Sequence, residues 1–160
     1  MTEIRLRILY ATVSGTAREV AEAIGLAAFD LPSGAVRVED MHDANPDIFN
    51  PAGPPLLLVV ATTGSGDIPP DAVALYQSLQ DQPRYLGGLR YGLVALGDSS
   101  YGSTFCGGGR AMDDLLIDMG AQRIADMLRL DAIEDDDPTG SAARWFDEWR
   151  MAADLPREQT

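Results

Sequence analysis

The chain has 160 residues, the size of one ordinary domain, with 12 basic residues, all Arg, against 25 Asp and Glu. The resulting formal charge of −13 argues against nucleic acid and anionic membrane as partners, since both are bound through cations. A single Cys and a single His exclude an internal disulfide and a thiolate–imidazole metal cluster.

In chain order, strand-like and helix-like stretches alternate. IRLRILYA (4–11) reads as a first strand. AREVAEAIGLAA (17–28) carries apolar residues at 17, 20, 21, 24, 27 and 28, a helical stripe. AVRVED (35–40) alternates like a half-buried or edge strand, and the Pro- and Asn-rich stretch 42–55 is a connection. LLLVVATT (56–63) is a continuous apolar run, as in a strand covered on both faces. Residues 70–80 form a helix with Pro70 at its start, and 89–97 a second buried strand. A helix over 107–120, a fifth strand over 122–131 and a last helix over 141–155 complete the pattern. The expectation is an α/β fold, one domain over residues 1–160, with five parallel strands sandwiched between helices. MTEIRLRILY does not read as a signal peptide, and the run at 56–61 is far too short to span a membrane. A cytoplasmic setting is expected.

Ligands of such sheets bind beyond the carboxyl ends of the strands. Three strand-end loops there have unusual composition. Thr12-Val13-Ser14-Gly15-Thr16-Ala17 opens a helix with small and hydroxylated residues, the makings of an anion pocket without Lys. It lacks the Gly-Lys-Ser/Thr of a Walker loop and the Gly-x-Gly-x-x-Gly of a dinucleotide site. Thr62-Thr63-Gly64-Ser65-Gly66-Asp67 follows a buried strand with two Gly, which permit close approach of a flat ligand. Leu96-Gly97-Asp98-Ser99-Ser100-Tyr101 leads on to Phe105-Cys106-Gly107 and sets an aromatic in a polar loop, suited to stacking on a planar ring. Taken singly, each loop also fits an ordinary capped turn. Together they describe one rim that grips a phosphate and covers a ring.

These three motifs resemble the flavin mononucleotide (FMN) loops of flavodoxins and of the flavodoxin-like modules of diflavin reductases. The resemblance runs from Ile8 to about Trp149, and Gly-Asp-Ile-Pro at 66–69 with Phe-Cys-Gly at 105–107 is similar to the short-chain, MioC-like flavodoxins. It implies a flavodoxin-like three-layer sandwich with strand order 2-1-3-4-5 and FMN at the switch point. It places the FMN phosphate on residues 12–17. Thr62, Thr63, Gly64, Ser65 and Gly66 would border the isoalloxazine ring, with the Gly64 carbonyl accepting from N5–H of the reduced ring. Tyr101 would stack on the outer face. Leu96, Gly97 and Asp98 would lie at the pyrimidine edge, and Phe105 and Cys106 near it. Thr63 stands where many flavodoxins carry an aromatic, and the span from Tyr101 to Phe105 is one residue longer than usual.

The implied role is a monomeric carrier of single electrons between an NAD(P)H-dependent flavodoxin reductase and an acceptor enzyme, such as biotin synthase. The acidic residues Asp67, Asp98 and 135–137 are expected around the rim, where they would attract basic-faced redox partners. Two alternatives share the fold: an NAD(P)H-dependent quinone or azo reductase, and a flavin-free interaction module. Cys106 reads as a small loop-core residue, His42 as an exposed one, and Trp145 and Trp149 as one apolar helix stripe.

Overall fold

The computed structural model describes residues 3–64 and 66–155. Five central segments pair in parallel: β1 (Leu6–Ala11), β2 (Val36–Asp40), β3 (Leu56–Val60), β4 (Arg90–Gly97) and the short β5 (Gln122–Arg123). Their spatial order is β2-β1-β3-β4-β5, with β6 (Leu128–Asp131) also pairing with β4. This is the 2-1-3-4-5 arrangement of the flavodoxin fold.

Alternation along the strands decides which helices each face receives. Leu6 and Ile8 of β1 and Leu57 and Val59 of β3 share a core with α1 (Thr16–Ala27) and α4 (Pro138–Ala152). Leu9 and Ala11, with Leu56, Leu58 and Val60, face α2 (Pro70–Asp81) and α3 (Gly107–Asp118). The helical stripe predicted on α1 is the buried one, with Ala17, Val20, Ala21 and Ile24 inward. Trp149 is fully buried and stacks at 6.1 Å on Trp145, one apolar stripe on α4. Between β2 and β3 the Pro- and Asn-rich stretch forms two single 3₁₀ turns, over Met41–Asp43 and Pro46–Ile48, each capped by an Asx side chain. His42 is exposed there.

One expectation is corrected. The fifth strand, predicted as one run over 122–131, is broken into β5 and β6. From Arg123 to Leu128 the chain takes five steps, while their partners on β4, Tyr91 and Val94, are three apart. Two surplus residues must leave the sheet, as in a bulge. Ala125 does so with φ 62°, and the neighbouring Asp126 carbonyl accepts from the Trp145 indole N–H at 3.2 Å. A buried polar relay fastens the detached β5. The Tyr91 hydroxyl donates to Asp113 Oδ1 at 2.5 Å, and Arg123 donates to Asp113 Oδ2 at 2.6 Å. Burial, then the bond to Asp113, pushes the Tyr91 pKa far up, so this hydroxyl remains a donor.

Among the described residues no helix is long and apolar enough to cross a membrane, and no cluster of three His, Cys, Asp or Glu could hold a metal.

Candidate functional site

Beyond the carboxyl ends of β1, β3, β4 and β6 lies a cleft of about 830 Å³, its open mouth included. Four loops wall it.

The first wall is 12–17, contributing Thr12, Val13, Ser14, Thr16 and Ala17 to the lining. Gly15 does not line the cleft but shapes the turn into α1, at φ 100° where L side chains are strained. The Thr12 hydroxyl accepts the Gly15 N–H at 2.8 Å and tightens that turn. No side chain caps α1. Its first intrahelical bond runs from Glu19 N–H to the Gly15 carbonyl at 3.1 Å, so the earlier amides of the first turn remain available to a ligand. Arg18 points away and pairs with Glu22 at 3.0 Å.

The second wall follows β3. Thr62 and Thr63 line the cleft, and Gly64 and Gly66 do not. Ser65 lies outside the described residues. Thr62 works structurally: its hydroxyl donates to the Leu96 carbonyl at 2.9 Å and accepts the Gly108 N–H at 3.1 Å. One side chain thus joins the ends of β3 and β4 to the start of α3. Thr63 N–H donates to the Asp67 carbonyl at 3.0 Å, and Gly66 N–H to the Thr63 carbonyl at 2.9 Å, closing a tight loop. At Gly66, φ is 86° and an added Cβ would lie 2.6 Å from Thr104 Cβ, so both conformation and space require glycine.

The third wall follows β4, where Leu96, Gly97, Asp98, Tyr101 and Phe105 line the cleft, joined by Thr104. Asp98 turns its carboxylate into its own loop, accepting the Ser100 N–H at 2.8 Å. Tyr101 is 55% exposed, a large aromatic at the mouth with no core to fill. Its hydroxyl lies about 4.0 Å from where a Cβ on Gly64 would stand, so the second and third walls meet there. Cys106 is fully buried behind the wall, its thiol donating to the Ala95 carbonyl at 3.5 Å. Burial pushes its pKa to about 11, against the pull of Arg129 and Arg110, so the thiol is protonated at neutral pH. A neutral aromatic disulfide reagent at pH 8 is therefore expected to label Cys106 only after unfolding. Rapid stoichiometric labelling of the native chain would contradict this.

The fourth wall, 130–138, escaped the motif reading. It contributes Leu130, Asp131, Ala132, Asp135 and Pro138. Asp137 caps α4 there, accepting the Gly140 N–H at 3.2 Å. Of the acidic residues expected at the rim, Asp98 and Asp135 line the cleft, with Asp131 added; Asp67, Asp136 and Asp137 do not.

A parallel sheet with this strand order and a cleft over its switch point defines an α/β protein of the flavodoxin type. The flavodoxin family profile matches residues 8–146, and the chain belongs to that family. It is 37% identical over 156 residues to an uncharacterized protein of Pseudomonas aeruginosa, covering 93% of this chain and 98% of the other. A point mutant of a flavodoxin from Pseudomonas aeruginosa superposes with a TM-score of 0.78 at 34% identity, over 94% of this chain and 99% of that one. A flavodoxin of Fusobacterium nucleatum, solved bound to flavin mononucleotide, has the same fold at 20% identity, with a TM-score of 0.73 over 92% and 97% of the two chains.

Proposed function

We propose that this chain binds FMN non-covalently in the four-walled cleft and carries single electrons between a reductase and an acceptor enzyme. The observation that carries this reading is the pairing of an uncapped helix start with an aromatic cover in one cleft. No Lys or Arg lines that cleft among the described residues, so an anion there must be held by amides and hydroxyls, which suits a phosphate monoester tail. The rest of the lining mixes apolar residues such as Ala61, Leu96 and Leu130 with Thr and Asp, and Tyr101 and Phe105 offer faces that suit a flat tricycle.

When bound, FMN supplies the reversible redox chemistry, and the protein tunes it. The amides of Val13, Ser14, Thr16 and Ala17 and the hydroxyls of Ser14 and Thr16 would take the phosphate, with Thr12 and Gly15 shaping the turn. Thr63, Leu96, Gly97 and Phe105 would border the ring, with Tyr101 over its outer face and Gly64 presenting its carbonyl to N5. The bonds that close the 63–67 loop use the Thr63 and Asp67 carbonyls. Asp98, Asp131 and Asp135 bring negative charge to the site. Coulomb repulsion from them disfavours further negative charge on the ring and favours partners with basic faces, and added salt weakens that attraction.

Titration of the apoprotein with FMN, followed by flavin fluorescence, tests binding. Electron transfer is tested with NADPH and an external electron acceptor, with and without a flavoprotein reductase. Turnover only with the reductase supports a carrier. Turnover with NADPH and a quinone alone would make the protein an enzyme, and a chain that never binds FMN would end the carrier reading. Within this scheme Tyr101→Ala is expected to weaken FMN binding by about 1–3 kcal/mol, the loss of one stacked aromatic face. Unchanged affinity in the same titration removes Tyr101 from the site.

A further inference from the structure

Tyr101 lies half in solvent, so packing does not fix it. Its position depends on the backbone of its loop, and that loop is held from outside at two points. On one side Arg110 donates to the Ser103 carbonyl at 2.6 Å. On the other, Asp131 Oδ1 accepts the Ser99 N–H at 3.0 Å. The same oxygen accepts the Ile133 N–H at 3.0 Å, so one carboxylate joins the third wall to the fourth. Ala132 N–H adds a backbone tie to the Gly97 carbonyl at 2.8 Å. Within the loop the remaining bonds are local, from Tyr101 N–H to the Asp98 carbonyl at 3.1 Å and from the Thr104 hydroxyl to the Tyr101 carbonyl at 3.1 Å. Local bonds give the turn its shape but do not say where it sits over the cleft.

We propose that Asp131 is a positioning residue for cofactor binding: by holding the Ser99 amide it sets Tyr101 over the cleft. This rests on the FMN reading above. Hydrogen bonding, from the Ser99 side chain first and then from the Ile133 and Ser99 amides, holds the Asp131 carboxyl below its ordinary range, so the acceptor is ionised at neutral pH. For cofactor affinity Asp131 acts through Tyr101 rather than by its own contact with the ring, and that distinction can be measured.

Asp131→Asn keeps an acceptor oxygen and removes the charge. It is expected to bind FMN more tightly than Asp131→Ala does and to quench its fluorescence more fully. Asp131→Ala is expected to bind about tenfold more weakly, the scale of one lost charge-assisted hydrogen bond, and to leave residual flavin fluorescence. Ser99→Pro removes both the amide and the hydroxyl that Ser99 offers Asp131 and leaves the carboxylate, at the first position of a 3₁₀ turn that tolerates Pro, and should match Asp131→Ala. In a Tyr101→Ala background, Asp131→Ala should add less than about threefold, since coupled residues are not additive. Hydrogen exchange in the apoprotein should show the Ser99 amide opening faster in Asp131→Ala than in wild type or Asp131→Asn. Asp131→Asn as weak as Asp131→Ala, or losses that multiply in the double variant, overturn the proposal. Unchanged Ser99 exchange in apo Asp131→Ala overturns it alone. A wild-type chain that binds no FMN overturns the cofactor reading and takes this role with it.

Discussion

Arg150→Ala is expected to lower the unfolding free energy by about 3–5 kcal/mol, the range for breaking a buried ion pair by removing one partner. Arg150 is 1% exposed, yet it carries a permanent charge. Its guanidinium makes a two-pronged contact with Asp30, Nη1 to Oδ1 at 2.8 Å and Nη2 to Oδ2 at 2.8 Å. Its Nε donates to the Leu155 carbonyl at 2.8 Å, and the group lies 5.3 Å from the Phe146 ring centre. One side chain therefore ties the end of α4, the chain just beyond it and the turn after α1. Truncation removes the two-pronged guanidinium that the Asp30 carboxylate, itself 9% exposed, faces, and adds a cavity. The pair need not be stabilising in total, because burying both charges is itself costly. Asp30→Leu with Arg150→Met should recover most of the loss. Chemical denaturation of the two variants checks both statements, and an Arg150→Ala loss below 1 kcal/mol would mean that the site is wetter than its burial indicates.

Gly108→Ala is the second large expectation, and it acts on the site. A Cβ at Gly108 would lie 2.3 Å from the Ala61 carbonyl oxygen and 3.2 Å from that of Asp67. Both are backbone atoms of the second wall and cannot swing aside as a flexible side chain would. The first turn of α3 must then withdraw, which also stretches the bond from Gly108 N–H to the Thr62 hydroxyl. Stability is expected to fall by about 1–3 kcal/mol, the usual overpacking range. FMN affinity should fall with it, since Thr62 and Thr63 move. Thr62→Val, which removes the hydroxyl that joins β3, β4 and α3, should reproduce part of the affinity loss. Melting curves and flavin titration read the two effects, and wild-type values for Gly108→Ala would show free room above α3.

The three motif loops were legible because their chemistry is local: small residues, hydroxyls and an exposed aromatic at strand ends. What each loop does with its side chains was less so. Thr62 reads as a ring neighbour, but its hydroxyl is committed to the Leu96 carbonyl and the Gly108 amide, partners 34 and 46 residues away. Asp98 reads as rim charge, but its carboxylate folds back on Ser100. The Asp131 tie to Ser99 spans 32 residues, and no spacing in the chain announces it.

Hydrophobic alternation and helical stripes alone determined the layered α/β architecture, because burial of those faces admits few arrangements. Strand-end composition likewise marked the rim where the ligand belongs. Tertiary structure decided the break between β5 and β6, the fourth wall of the cleft and the burial of Arg150 against Asp30. Each depends on a distance between segments far apart in the chain, fixed only when the sheet register is set, and local preference carries no record of it.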